Sequence, residues 1–314
     1  MGEPAPEAPY RYIQGCFTVC TSTVSVILHG PIIIVFILHP SFRDQICYRI
    51  MGLILVFEFL LQLGYLGSGI FTILQSTGNE LMETIVCSLV FTSLFGIYLS
   101  NTLLALNRFS IMVINSWLPK LFYNIAMGAI FLFWAFFYVI NFTPLYGFKF
   151  YPTLGISAPK YPTILFFVMG YFVNYTSMVC LAVSSILYLV SVVVLIFRRR
   201  RYTGSSRQWI SKVELRILFT AFITFLVCLI DVLTNQQHQF KLFAVGSLPM
   251  MISFLLVQTS YGFITVTVYF FMNRDLRKVV LRKQSTFTVT KFSCSVSHVQ
   301  RNMLFQRTKS TTLK

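Results

Sequence analysis

Among the ionisable side chains inside or against the long apolar runs of this chain, four stand out: Glu58, Arg108, Glu214 and Asp231. A charge held within a bilayer costs several kcal/mol unless it faces a helix-bundle interior or water, which makes each of them a candidate for function. The chemistry open to such groups is ion pairing, a shared proton or ion coupling. Catalysis has little support. The four histidines, His29, His39, His238 and His298, include no pair at ligand spacing within a run, and no nucleophile–base set accompanies them. The seven cysteines, Cys16, Cys20, Cys47, Cys87, Cys180, Cys228 and Cys294, show neither zinc nor disulfide-framework spacing. No metal or cofactor is implied.

The elements that must position these groups follow from composition. Of the 314 residues 56% are hydrophobic and only 11% charged, against roughly 25% charged in soluble domains. A spanning helix needs about 20 mostly apolar residues. Seven runs meet that need: Cys16–Leu38, Ile50–Leu74, Thr84–Val113, Leu121–Phe142, Thr163–Phe197, Val213–Leu233 and Phe243–Met272. The expectation is an all-α, seven-transmembrane-helix bundle over residues 16–272, with an N-terminal segment before it and a basic tail, 273–314, after it. A kink is expected at Gly30-Pro31. Thr143–Tyr161, with Pro144, Pro152, Pro159 and two glycines, reads as a sizeable irregular loop. Met1–Gly15 has no basic n-region, so the first helix is expected to act as its own insertion signal.

Charge placement sets the orientation. With the N-terminus outside, all but Arg11, Lys149, Lys160 and Lys241 of the 25 Lys and Arg residues fall on the cytoplasmic side. The same distribution turns the net charge of +16 away from nucleic acid and toward the inner membrane surface. Beyond Met272, Leu276, Val279 and Val280 fall on one face among Arg274, Arg277, Lys278 and Arg282, which predicts a short amphipathic helix on anionic lipid. Asn141-Phe-Thr143 and Asn174-Tyr-Thr176 match the glycosylation pattern. Asn174 falls inside a helix, and Asn141 is close to the membrane and followed by Pro144. Cys294 in the tail is a candidate for palmitoylation.

Short motifs carry a resemblance. Leu104-Ala-Leu-Asn107-Arg108-Phe109 is similar to the acid–Arg–aromatic triplet that ends the third helix of rhodopsin-like receptors, with Asn107 in the acid's place. Tyr269-Phe-Phe-Met-Asn273-Arg-Asp-Leu-Arg277 is similar to the end of their seventh helix. Thr265-Val266 replaces the Asn-Pro expected there, and the sixth helix lacks its proline, with Cys228 and Asp231 in that region. With Cys47-Tyr-Arg-Ile-Met51 and Ser100–Arg108, the chain resembles a divergent branch, the nematode serpentine chemoreceptors, and among these the Srt-like group.

What the resemblance implies is a chemosensory, olfactory-type G-protein-coupled receptor in the plasma membrane or the membrane of a sensory cilium. Its partners would be a small-molecule ligand, a heterotrimeric G protein and membrane lipid. The coupling switch would comprise Asn107, Arg108, Glu214, Tyr269, Asn273 and Arg277, with Glu214 as resting acceptor for Arg108. Glu58 lies near where such receptors carry a buried acid that can bind sodium, and reads equally as an acid hydrogen-bonded within the bundle. A ligand would sit between the outer halves of helices three, five, six and seven. Those halves offer Val90, Phe91 and Leu94; Phe167, Tyr171 and Asn174; Asp231; and Met251, Phe254 and Gln258. Asp231 also reads as a solvated helix end. The loop Thr143–Tyr161 has no cysteine, so the family's bridge to the third helix cannot form and Cys87 is expected to act as a small apolar residue. The competing reading is a transporter that uses Glu58 or Asp231 for ion coupling, although no internal repeat supports it.

Overall fold

The computed structural model describes residues 8–114, 118–143, 146–152, 156–160, 163–201, 218–219, 222–223, 225–232, 248–272, 276–277 and 279. Its helices are α1 (Ala8–Leu38), α2 (Ile46–Leu74), α3 (Glu80–Phe109), α4 (Lys120–Ile140) and α5 (Ile164–Arg201). The helical residues described within 218–232 are α6. The last, α7, consists of Leu248–Thr259, a π-helical turn at Ser260–Ile264 and Thr265–Met272. Among the described residues six helices are long and apolar enough to cross a membrane, and α6 supplies the seventh position of the bundle. The chain is a multi-pass membrane protein built as a seven-helix bundle. It divides into two units, Met1–Arg277 and Lys278–Lys314; the bundle belongs to the first, and of the second only Val279 is described.

Several boundaries move from those expected. The first helix starts at Ala8, eight residues before the apolar run, and stays helical through Pro31. The fifth continues through all four arginines, Arg198 to Arg201, instead of stopping before them. Gln75, at φ 53°, ends α2 in the left-handed region, and Gly78 at φ 72° turns the chain. Asn79 then caps α3 by accepting from the Met82 amide at 2.7 Å, with Glu80 and Glu83 in the positive first turn. Thr163 caps α5 in the same way, through the Phe166 amide at 3.1 Å.

The loop expected to be irregular contains a β-hairpin, β1 (Phe148–Tyr151) paired antiparallel with β2 (Ile156–Pro159). It lies against α3: the Phe150 amide donates to Glu83 Oε1 at 2.7 Å, and Phe150 packs with Phe71, Val86 and Cys87. Phe148 and Phe150 share the face of the strand that meets this apolar seat, Lys149 and Tyr151 point the other way, and the backbone pairs with β2.

Burial is inverted relative to a soluble protein. Along α4, Tyr123, Ile130 and Phe137 face inward, whereas Ile125, Leu132 and Val139 are each more than 60% exposed and meet lipid. The core is centred on α2 and α3, which bury most of their length. Their close approach depends on small residues, as is usual where no hydrophobic force draws helices together in lipid. A Cβ at Gly64 would stand 2.7 Å from Val90 Cγ2 and 3.0 Å from the Val90 amide nitrogen, so backbone as well as side chain would have to move. Gly64→Val is therefore expected to lower stability by about 1–3 kcal/mol and to reduce surface expression. Gly128→Ala, where a Cβ meets nothing within 4 Å, should leave both unchanged. Thermal unfolding of the purified proteins in detergent checks the pair.

Candidate functional site

A cavity of about 300 Å³ opens among α3, α4, α5 and α6 directly beneath the hairpin. Its roof is aromatic: Phe91 and Phe148 stack at 3.8 Å, and Tyr146 and Phe148 each lie 5.3 Å from Phe166. Its walls include Phe95 and Phe137, edge-to-face at 5.3 Å. Its polar side chains are Thr92, Tyr98, Asn141, Tyr146, Asn174 and Ser177; no charged residue lines it among those described. Burial pushes the Tyr146 hydroxyl up to about 12, so it is neutral here.

Tyr98 closes the bottom and connects it to the core. Its hydroxyl donates to Asp231 Oδ2, and the Tyr261 hydroxyl donates to the same oxygen at 3.1 Å. One carboxylate of α6 thus joins α3 to α7. Asn101 Nδ2 donates to Cys228 Sγ at 3.1 Å one turn deeper. Asp231 is only 2% exposed. The solvated-end reading is thereby corrected: this acid lies inside the bundle, with two tyrosines between it and its surroundings.

The other expected ligand positions separate. Phe91, Leu94 and Asn174 line the cavity. Phe167 and Tyr171 are 51% and 59% exposed, on the lipid side of α5. Val90 is wedged against Gly64 of α2. Phe254 meets Tyr65 edge-to-face at 5.4 Å, and Met251 is partly buried; neither lines the cavity. Gln258 is fully buried and fastened to α1: its Nε2 donates to Ser22 Oγ at 2.8 Å, Thr21 Oγ1 at 3.1 Å and the Thr18 carbonyl at 3.2 Å. The Thr18 hydroxyl donates to its Oε1 at 3.1 Å. The sequence reading missed Phe95 and Tyr98, which continue the Phe91 face at helical spacing, and Gly170 and Ser177, which share a face with Asn174. Spacing alone gives those four. Phe137, Asn141 and the hairpin come from elements whose arrangement no local pattern announces. Asn141 is 3% exposed and donates to the Phe137 carbonyl at 2.7 Å, which places it inside the bundle rather than on a glycosylated surface.

Cys87 is not simply apolar. Its sulfur lies 3.4 Å from Ser157 Oγ on β2, a noncovalent contact between α3 and the hairpin. The Lys160 ammonium pairs with Glu80 nearby.

Glu58 is fully buried and faces His29 across 3.5 Å. His29 Nδ1 lies 2.8 Å from the Ser25 carbonyl, an acceptor, so Nδ1 carries a hydrogen. Ser25 in turn donates to the Gly262 carbonyl at 3.0 Å, in the π-helical turn of α7. Thr265 is the remaining polar neighbour of Glu58.

At the opposite end of the bundle, Asn107 and Arg108 are buried, at 0% and 4% exposure. Tyr188 of α5, fully buried, is an electrostatic neighbour of Arg108. Tyr269 packs at 6.4 Å on Phe36, within a cluster that includes Phe42 and Tyr48. Leu276 is buried and Arg277 partly so, both helical. Glu214 and Asn273 lie outside the described residues, as do most of the expected amphipathic helix and Cys294.

No protein-family model matches the sequence, and no curated protein matches it. Among solved structures the fold is similar to squid rhodopsin, with a TM-score of 0.68 at 10% identity over 92% of this chain and 91% of that one. The likeness is one of fold.

The His29–Glu58 pair yields a double-mutant test. Removing one member strands the other, at a cost of about 3–5 kcal/mol for a buried pair, whereas apolar replacement of both is often nearly neutral. His29→Leu and Glu58→Leu should each lower the melting temperature sharply, and the double variant should recover most of the loss.

Proposed function

We propose that this chain is a chemosensory receptor that binds a small organic molecule in the cavity beneath the hairpin and activates a heterotrimeric G protein. The observation that carries this reading is the Tyr98–Asp231–Tyr261 contact. It makes the floor of the cavity continuous with α6 and α7, so an occupant that displaces Tyr98 alters how α6 is held. The rhodopsin-like arrangement of helices supports it, as does the burial of Asn107 and Arg108 at the far end. The motifs around Cys47 and Arg108 favour placement among the nematode serpentine chemoreceptors of the Srt-like type. The distribution of basic residues favours an extracellular N-terminus and hairpin, in a plasma or ciliary membrane. Ion-coupled transport is disfavoured, since both acids it would use are enclosed in contacts with neighbouring helices.

In this reading Arg108 is the coupling residue. At rest its guanidinium holds the inner ends of the helices together, with Glu214 as the acceptor the sequence offers. Movement of α6 then opens a crevice for the G protein. Asn107, Tyr269, Asn273 and Arg277 complete the switch, and the helix after α7 lies on the inner leaflet.

Two measurements test the proposal. In cells with a calcium or cAMP reporter, screened with volatile and water-soluble metabolites, Arg108→Ala should reach the surface, keep agonist binding and lose signalling. Glu214→Gln should raise basal activity, and a resting pair worth 1.4 kcal/mol corresponds to about a tenfold shift in the two-state ratio. Normal signalling from a surface-expressed Arg108→Ala would reduce this arginine to a membrane anchor. Separately, an epitope after Lys314 should be reachable by antibody only after permeabilisation; labelling on intact cells would overturn the orientation.

A further inference from the structure

Among the described residues the cavity offers aromatic surface, no charged side chain and the side chain of Asn141, whose carbonyl oxygen is buried without a partner. Several of its polar groups are already engaged. Thr92 donates to the Ser88 carbonyl at 2.6 Å, Ser177 to the Val173 carbonyl at 2.8 Å, and Tyr98 to Asp231. Asn141 differs. Its Nδ2 donates to the Phe137 carbonyl at 2.7 Å, and because a carbonyl only accepts, this contact fixes which way the amide faces. Its Oδ1 is left buried, with no hydrogen-bond partner. A buried acceptor in this condition is unfavourable until a donor reaches it.

Resting on the reading of this cavity as the ligand site, we propose that the ligand is a compact, neutral, largely planar molecule with one hydrogen-bond donor, a hydroxyl or N–H, that donates to Asn141 Oδ1. Size, charge and shape each narrow the class. A volume of about 300 Å³ matches about ten atoms of the size of a water molecule, at ~30 Å³ each. A charged ligand would lose its hydration against walls that hold no counter-charge. Rings such as Phe95 and Phe137 favour offset or edge contacts with a flat molecule. Asn141 ends α4 where the chain enters the segment leading to the hairpin that covers the cavity.

The test uses full-length receptor in lipid nanodiscs and three ligands of nearly equal size: 4-ethylphenol, 4-ethyltoluene and 4-ethylbenzylamine. The phenol is expected to bind about tenfold more tightly than the toluene, as one recovered hydrogen bond allows, and more tightly than the cationic amine. Asn141→Leu should bring phenol and toluene to within about twofold of each other. A Cβ at Gly170, which lines the opposite wall, meets nothing within 4 Å, so Gly170→Leu should fold normally and exclude both ligands by occupying the space. Equal binding of phenol and toluene, a preference for the amine, no binding of any, or discrimination that survives Asn141→Leu would each overturn the proposal. Should Asn141→Leu not fold, Asn141→Ser, too short to reach the same donor, serves as the second variant with the same expected loss. Asn141-dependent binding of the phenol without any G-protein response would uphold the ligand assignment and refute the receptor reading.

Discussion

The carboxylate of Asp231 receives two tyrosine hydroxyls from two other helices, and the middle of the bundle is arranged around that fact. Lipid offers no water to a polar group, so an acid on α6 is tolerable only where neighbouring helices supply donors. Polar side chains face one another across other helix boundaries as well. Gln258 of α7 is satisfied almost wholly by α1, and Glu58 of α2 faces His29 of α1. Hydrophobic burial cannot choose among helix arrangements in lipid, because a leucine is equally content against a tail or a neighbour. These polar joints, together with close approaches such as Gly64 on Val90, supply the selection.

Two features common in bundles of this shape are replaced here by noncovalent equivalents. No disulfide fastens the hairpin to α3. A backbone amide on Glu83, the Cys87–Ser157 contact and a seat of aromatic rings do so instead. Such a cover is held by several weak contacts and can loosen without breaking a bond. In α7, Thr265-Val266 stands where the resemblance expects Asn-Pro. A π-helical turn at Ser260–Ile264 precedes it, and the Gly262 carbonyl within that turn accepts from Ser25 of α1.

These contacts bear on the proposed function because they cover the cavity and lead away from its floor. The hairpin covers the cavity, and Tyr98 closes its floor and leads through Asp231 to Tyr261 in the π-helical turn. Arg108, more than two helical turns beyond Tyr98 on the same helix, is buried at the other end, and α3 provides the rigid connection between them.

Some of this was legible in the sequence. Apolar runs of membrane length dictated helices, because a span has no other means of satisfying its backbone, and their number dictated the bundle. The rarity of charge within those runs singled out Glu58, Arg108 and Asp231, all of which are buried. Local periodicity reached part of the cavity through Phe91, Leu94 and Asn174, but it assigned Phe167 and Tyr171 to the inside when α5 turns them to lipid. The reason is that lipid-facing and core-facing surfaces are equally apolar, so the rotation of a helix leaves little trace in composition. What faces what was decided only by tertiary structure: His29 opposite Glu58, Gln258 on α1, Asn141 beneath the hairpin, and two tyrosines on Asp231. Each of those contacts joins residues distant in sequence, and polar complementarity between helices has no period that a single helix can display.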